Sequence, residues 1–249
     1  MFAKRLFYFI KQYLIVIFMT FAWPSAQASN VLMHFYQQTP PFITSANQGY
    51  LYDLAEYINR MDTKNMYSLK FMPRELINRL IDKKQFEGVV IGANPAWFDD
   101  IEKQKYFWSV GVFDDANDII SDKTFAFDYK GPDSLAGLTL GGIRGHYYVG
   151  LDPLIKQGLV YRDDVDRVTQ NLRKAVSGRV SVAIINRSFL QYYLRDHELN
   201  FHISKQPHAI HQKHIFFTQD YEAVFLRINR ILKQAKSNGD LERLMTPYR

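Results

Sequence analysis

Arg144-Gly145-His146-Tyr147, which follows the apolar run Leu138–Ile143, is the stretch best equipped for binding chemistry. Gly141, Gly142 and Gly145 let backbone approach a ligand closely, and a helix starting just beyond them would aim free N–H groups at an anion. Arg144 could add a bidentate carboxylate or phosphate contact. The competing reading is that these glycines only make a strand-to-helix turn and that Arg144 is solvated. In open α/β sheets, ligands gather beyond the carboxyl ends of the parallel strands. That rule adds Tyr36 and Phe42 after the first strand, and Asn94, Pro95 and Trp97 after the third. It also adds Asn186 and Arg187 after Val180–Ile185, while Tyr52 heads the first helix and could face the same cleft. No carboxylate joins this set, and His146 is its one candidate acid.

Other chemistry is weaker. His208, His211 and His214 recur every third residue, a spacing that could serve zinc or copper, but on a strand i and i+3 point to opposite faces. No metal and no cofactor is therefore expected. GxSxG, HExxH and Walker motifs do not occur, and the glycine spacing is not that of a dinucleotide site. Glu56, Glu75, Asp99 and Asp100 fall on helix faces or loops and are expected to be solvated. There is no cysteine, which excludes disulfides, thiol catalysis, Cys-type zinc sites and an N-terminal lipid-modified cysteine.

The elements that must position these residues alternate short apolar strands with amphipathic helices, the pattern of an α/β protein. Strands are predicted at Val31–Tyr36, Tyr67–Phe71, Gly88–Asn94, Leu138–Ile143, Val180–Ile185 and Ile215–Phe217. Helical spacing covers Leu51 to Met61, a segment opened by Pro73, a segment ending at Gly158, Val168 to Val176, Arg187–Leu194 and Val224 to Ala235. The polar run Asp114–Asp118 is either a crossing between lobes or an ordinary surface loop.

Composition sets the context. At 47% hydrophobic and 22% charged, the 249-residue chain is neither disordered nor a polytopic membrane protein. Lys4, Arg5 and Lys11 precede the apolar run Tyr13–Ala22, then Pro24 and Ala26-Gln27-Ala28. This reads as a secretory signal cleaved after Ala28, because ten clean apolar residues fall short of a bilayer span. An uncleaved anchor is the alternative. Without that segment, 28 basic residues face 25 acidic ones, a mild and scattered excess that argues against nucleic-acid binding. Export without cysteine suits a Gram-negative periplasm.

The order of motifs from Val31 to Tyr248 resembles the family 3 periplasmic solute-binding proteins, receptors of polar amino-acid uptake. The segments that carry the resemblance are Pro40-Pro41-Phe42, Gly49 to Leu54, Leu80 to Gly88, Phe107-Trp108-Ser109, Asp133 to Gly137, Ser177 to Val180, and Lys236 to Gly239 followed by Leu241 to Leu244. The resemblance implies a type II two-lobed fold with two crossing strands as hinge. Lobe 1 would span residues 29–113 and 214–249, and lobe 2 residues 114–213. It implies capture of a small molecule by hinge closure, a monomer, and an inner-membrane ABC permease or membrane sensor as partner. A ligand-presenting sensory module, or a dehydratase-like enzyme on the same fold, are the alternatives. Receptors of this family hold the α-carboxylate with an arginine after the third strand and the α-amino group with an aspartate after a later strand. Asn94–Asp100 contains no arginine, and the aspartate position holds Asn186. An unpaired ammonium in a closed cleft is costly, so the set points to an aromatic or anionic small molecule.

Overall fold

The computed structural model describes residues 29–249; the expected signal segment and its cleavage site lie outside the described residues. Along the chain come β1 (Ser29–Phe35), α1 (Tyr50–Met61), β2 (Asn65–Phe71), α2 (Arg74–Asp82), β3 (Val89–Ala93), β4 (Phe107–Trp108) and β5 (Phe113–Asp122). Then follow β6 (Thr139–Ile143), α3 (Asp152–Lys156), β7 (Tyr161–Val165), α4 (Val168–Val176), β8 (Val182–Asn186) and α5 (Arg187–Leu194). The chain continues through β9 (Phe201–Ile203), β10 (Ala209–Phe217), α6 (Glu222–Ser237) and α7 (Asp240–Met245).

Hydrogen bonds link the strands in the order β2-β1-β3-β10-β5-β8-β6-β7, with β4 on β10 and β9 on β5. The path divides along β10. Its residues His214–Phe217 run antiparallel to β3, which is parallel to β1. Its residues Ala209–Lys213 pair with Phe113–Asn117 of β5 instead. From β5 the path continues antiparallel to β8 and then parallel through β6 to β7. The register shifts between His214 and Ile215, where β10 passes from one half to the other.

Each half is covered on both faces, so its central strands are apolar throughout. Side chains of β3 alternate as far as Ile91: Val89 and Ile91 join the cluster under α1 and α6, while Val90 joins Ile77, Phe86, Phe98 and Trp108; Gly92, with φ 78°, breaks the alternation, and Ala93 joins the cluster of Val90. In the second half, Val182 and Ile184 of β8 face Leu135, Leu140 and Leu151, and Ala183 and Ile185 face Leu172 of α4 and Phe189 of α5. Gly49 sets the entry to α1. Its φ is 123°, and a Cβ there would lie 2.5 Å from the Phe42 carbonyl oxygen. The N–H groups of Tyr50 and Leu51 donate to the carbonyls of Pro41 and Phe42, which docks the Phe42 loop on the helix N-terminus.

Several expectations change. Asp114–Asp118 lies within strand β5 and is not a surface loop. Tyr161–Val165 and Phe201–Ile203 are strands that hydrophobic patterning did not reveal. The first carries Arg162, Asp163 and Asp164 at a sheet edge, where charge protects an open strand. The helix expected directly after Tyr147 starts only at Asp152 and runs five residues, with turns between. Asp100 is buried rather than solvated. It accepts hydrogen bonds from the backbone N–H groups of Gln104, Lys105 and Tyr106 and from Trp108 Nε1 at 2.7 Å. Burial works to raise its pKa, but these bonds outweigh burial and hold the carboxyl below its ordinary value. Its contribution to stability is therefore complete above about pH 4, the ordinary carboxylate range, and is lost as pH falls through the lower folded value. Asp100→Ala leaves those donors unpaired and is expected to cost about 1–3 kcal/mol in urea unfolding at neutral pH. Much of that difference should vanish in acid.

Candidate functional site

The ladder between β5 and β10 places Asp115 opposite His211 and Phe113 opposite Lys213. With period-2 alternation, His211 and Lys213 share a face with Phe113 and Asp115. Lys213 is 1% exposed. Its Nζ lies 4.9 Å from the Phe42 ring centroid and 4.6 Å from that of Trp97, and it donates to Gln37 Oε1 at 2.8 Å. The Trp97 ring also meets the His211 ring, 5.2 Å between centroids. Phe42, in turn, packs edge-on against Phe113. Two predicted ligand residues, Phe42 and Trp97, thus converge on the buried Lys213 of β10, and Trp97 also meets His211. Sequence pattern marked only Ile215–Phe217 as a strand; the family resemblance implied a crossing strand just before it, with no indication of which face would meet the two loops.

Burial drives the electrostatics of this group. It lowers the Lys213 pKa to about 8, with Asp115 pulling the other way. Burial and then the Lys213 charge push His211 down to about 3. Burial raises Asp115, opposed first by Lys213 and then by its hydrogen bonds. Asp115 Oδ1 accepts from the N–H groups of Ala116 and Ser188, and Oδ2 accepts from Ser188 Oγ at 2.9 Å. His211 Nε2 is 3.9 Å from Asp115 Oδ2 and has no hydrogen-bond partner. A buried acid, Asp115, is therefore present beside His211; the sequence pattern did not single it out as a site residue.

The other candidates have different surroundings. Tyr36 packs against the Phe86–Phe216 cluster, with Arg74 5.3 Å from its ring centroid. Its hydroxyl is buried without a partner, and burial raises its pKa to about 12 against the pull of Arg74. Arg74 also donates to the Trp97 carbonyl. Asn94 caps the turn that carries Trp97, accepting from Ala96 N–H, and its amide donates to the Gln212 carbonyl of β10. Tyr52 is half-buried, 6.3 Å from Phe35 between ring centroids. Asn186 donates to Asn117 Oδ1, and Arg187 forms a two-pronged pair with the buried Asp118 at 2.9 and 2.6 Å. Both are thus held by β5.

The Arg144–Tyr147 turn differs most from expectation. Arg144 is exposed and pairs with the exposed Asp166, which is the solvated reading. Tyr147 is 70% exposed and His146 is exposed. Gly141 and Gly142 make room for the protein's own side chains: a Cβ would lie 2.2 Å from Asn171 Oδ1 and 2.4 Å from Asp164 Oδ1, respectively. Arg162 shapes this turn, donating to the Ile143 and His146 carbonyls at 2.9 Å and lying 5.1 Å from the Tyr148 ring centroid. Nothing in the local sequence distinguished Arg162 from a surface arginine. His208 donates to the Val149 carbonyl and His214 to the Ser109 carbonyl, so these histidines and His211 serve three separate surroundings. Among the described residues no group of three His, Asp or Glu side chains is placed to hold a metal ion.

No protein-family model matches the chain, and no curated protein matches it in sequence. Solved structures do. A mutant of ArgBP from T. maritima superposes with a TM-score of 0.66 at 20% identity, covering 88% of this chain and 95% of that one. The substrate-binding protein of an amino acid ABC transporter gives 0.65 at 15% identity, covering 88% and 99%. The GluR0 ligand-binding core from Nostoc punctiforme, in complex with L-glutamate, gives 0.66 at 16% identity, covering 88% and 98%. The chain therefore has the two-lobed α/β fold of periplasmic solute-binding proteins, with β5 and β10 as the crossing strands.

The buried lysine makes a pH prediction. Between about pH 8 and 10.5, the ordinary lysine value, the unfolded chain binds more protons at Lys213 than the folded one does. Stability contributed by this group must then rise with pH across that window. Urea unfolding of the wild type relative to Lys213→Met should show the rise, and a flat difference would count against the buried placement.

Proposed function

We propose that this chain captures a small polar, aromatic or anionic solute between its two lobes and closes on it by hinge rotation. Lobe 1 comprises residues 29–113 and 214–249, and lobe 2 residues 114–213. The observation that carries this reading is the convergence of Phe42, from the loop after β1, and Trp97, from the turn after β3, on residues of the crossing strands. Aromatic faces and a buried charge at a two-stranded junction form a place where ligand contacts and lobe rotation are mechanically joined. Asn94 strengthens the link, because its side-chain amide donates a hydrogen bond to the Gln212 carbonyl and ties the Trp97 turn to β10.

The solved proteins of this fold named above are described as amino-acid-binding or bound to L-glutamate. That supports a solute-binding role here, in uptake through an ABC permease or in presentation of the solute to a membrane sensor. The basic and apolar segment before Ala28 supports action outside the cytoplasmic membrane, and the family resemblance implies a monomer. Asn186, where the resemblance implies an aspartate, favours a solute other than an ordinary zwitterionic amino acid.

A thermal-shift screen over amino acids, polyamines, organic acids and aromatic metabolites tests the reading. At least one class should raise the melting temperature, and the same compound should contract the protein in small-angle scattering. Trp97→Ala should weaken that compound about tenfold or more. Unchanged melting and scattering across the panel would sink the proposal.

A further inference from the structure

Lys213 brings a complete positive charge into the junction, and nothing there neutralises it at contact distance. Its Nζ bonds to the neutral Gln37 and lies against the faces of Phe42 and Trp97. Asp115 attracts it through space but forms no ion pair with it within 4 Å among the described residues, and both Asp115 oxygens are already engaged by Ala116 and Ser188. Beside the same Trp97 ring, His211 presents a buried Nε2 with no partner, its side chain 8% exposed. A buried cation with weak neutral partners and an unsatisfied imidazole together form a receptor for an anion. The reverse choice is blocked. Aromatic faces are the surroundings that attract a ligand cation, and this chain meets the faces of Phe42 and Trp97 with its own ammonium.

We propose that the cleft takes a small organic carboxylate without a free amino group, and that Lys213 is the counter-charge that holds it. The inference rests on the cleft being the binding site. As the lobes part, the ammonium between Phe42 and Trp97 becomes reachable. The carboxylate then accepts from Nζ and from His211, while a ligand ammonium is repelled. Phe42 and Trp97 orient the lysine and offer the solute an apolar wall. This assignment supplies the anion contact that the Arg144 turn, paired with Asp166 in solvent, does not make.

The charged and titratable groups around Lys213 come from every element packed there. They are Asp115 on β5, His211 on β10, His146 on the turn after β6 with Arg162 and Asp164 of β7 nearby, and Arg74 of α2, which is bonded to the Trp97 carbonyl. An anion beside Lys213 favours its protonated form. Binding at about pH 8.5 should therefore take up part of a proton, falling to little at about pH 6.5, where the lysine is already charged.

The test is calorimetry with matched probes: benzoate, phenylacetate and succinate against benzylamine, phenethylamine and phenylalanine. At least one carboxylate should bind the wild type, weaken about tenfold or more in Lys213→Met, and be retained in Lys213→Arg. The amines should not bind. Titrations in two buffers of different ionisation enthalpy should show the proton uptake at about pH 8.5; this readout needs no variant and so survives if Lys213→Met does not fold. Amines binding as well as carboxylates, carboxylate affinity unchanged in Lys213→Met, or no proton uptake would each overturn the inference. Binding without charge preference would leave the solute-binding reading standing. No binding by any probe or any compound of the wider panel would remove both.

Discussion

The structure depends on the antiparallel ladder between Phe113–Asn117 and Ala209–Lys213. Two parallel-strand halves, each with its own cores, meet through this short ribbon. Two crossing strands paired to each other resist shear, because sliding breaks their hydrogen bonds together, yet a ribbon twists and bends at modest cost. The register shift between His214 and Ile215 places the change of sheet at the end of that ribbon. Under the proposed closure, rotation of one half against the other would be concentrated in a few residues, and Lys213 is the last of the ribbon on β10.

The ribbon also sets the cleft chemistry. Residues on β5 hold two of the predicted lobe-2 ligand residues: Asn117 takes the Asn186 amide and Asp118 takes the Arg187 guanidinium. Asp115 receives Ser188 at the start of α5. These three adjacent contacts fix the entry to α5 on the crossing strand itself. On the other side, Asn94 bonds to β10 and Arg74 to the Trp97 carbonyl. Loops from both halves are therefore referenced to the crossing strands, so under the proposed closure, bending there would change the relative placement of these contacts.

Much of this order was legible in sequence because burial on two faces leaves a continuous apolar run. Val89–Ala93 and Val182–Ile185 could be read as strands for that reason, and Leu51 to Met61 as a helix by its spacing. Strand β7 was not legible because it is an edge strand whose residues are chosen for charge, and β9 is only three residues long. Asp100 looked solvated because its four donors come from residues up to eight positions away, a local turn that no periodicity announces. Gly141 and Gly142 were legible as close-approach positions, but the approaching atoms belong to Asn171 and Asp164. Sequence shows that space is needed and not what fills it. The pairing of Lys213 with Phe42 and Trp97 joins positions more than 100 residues apart, and only the folded topology brings them together.

The buried lysine is a local inconsistency in an otherwise consistent fold. A long apolar side chain would fill the space between Phe42 and Trp97 without desolvating a charge, and replacing buried ionic groups by apolar ones is often neutral or stabilising. Cation–π contact recovers only part of the desolvation cost. The one hydrogen-bond partner of Nζ among the described residues is the neutral Gln37, and burial lowers the lysine pKa, so part of the cost stays uncompensated. Stability alone gives no reason to keep an ammonium at this position. A reason exists if the missing compensation arrives from outside, because an anion that completes the pair binds with the free energy that burial has left unmatched. The same logic accounts for His211, whose unpaired Nε2 costs stability until an acceptor occupies the junction. Both side chains lie on a crossing strand, so in the proposed closure, completing their interactions and fixing the hinge would become one event.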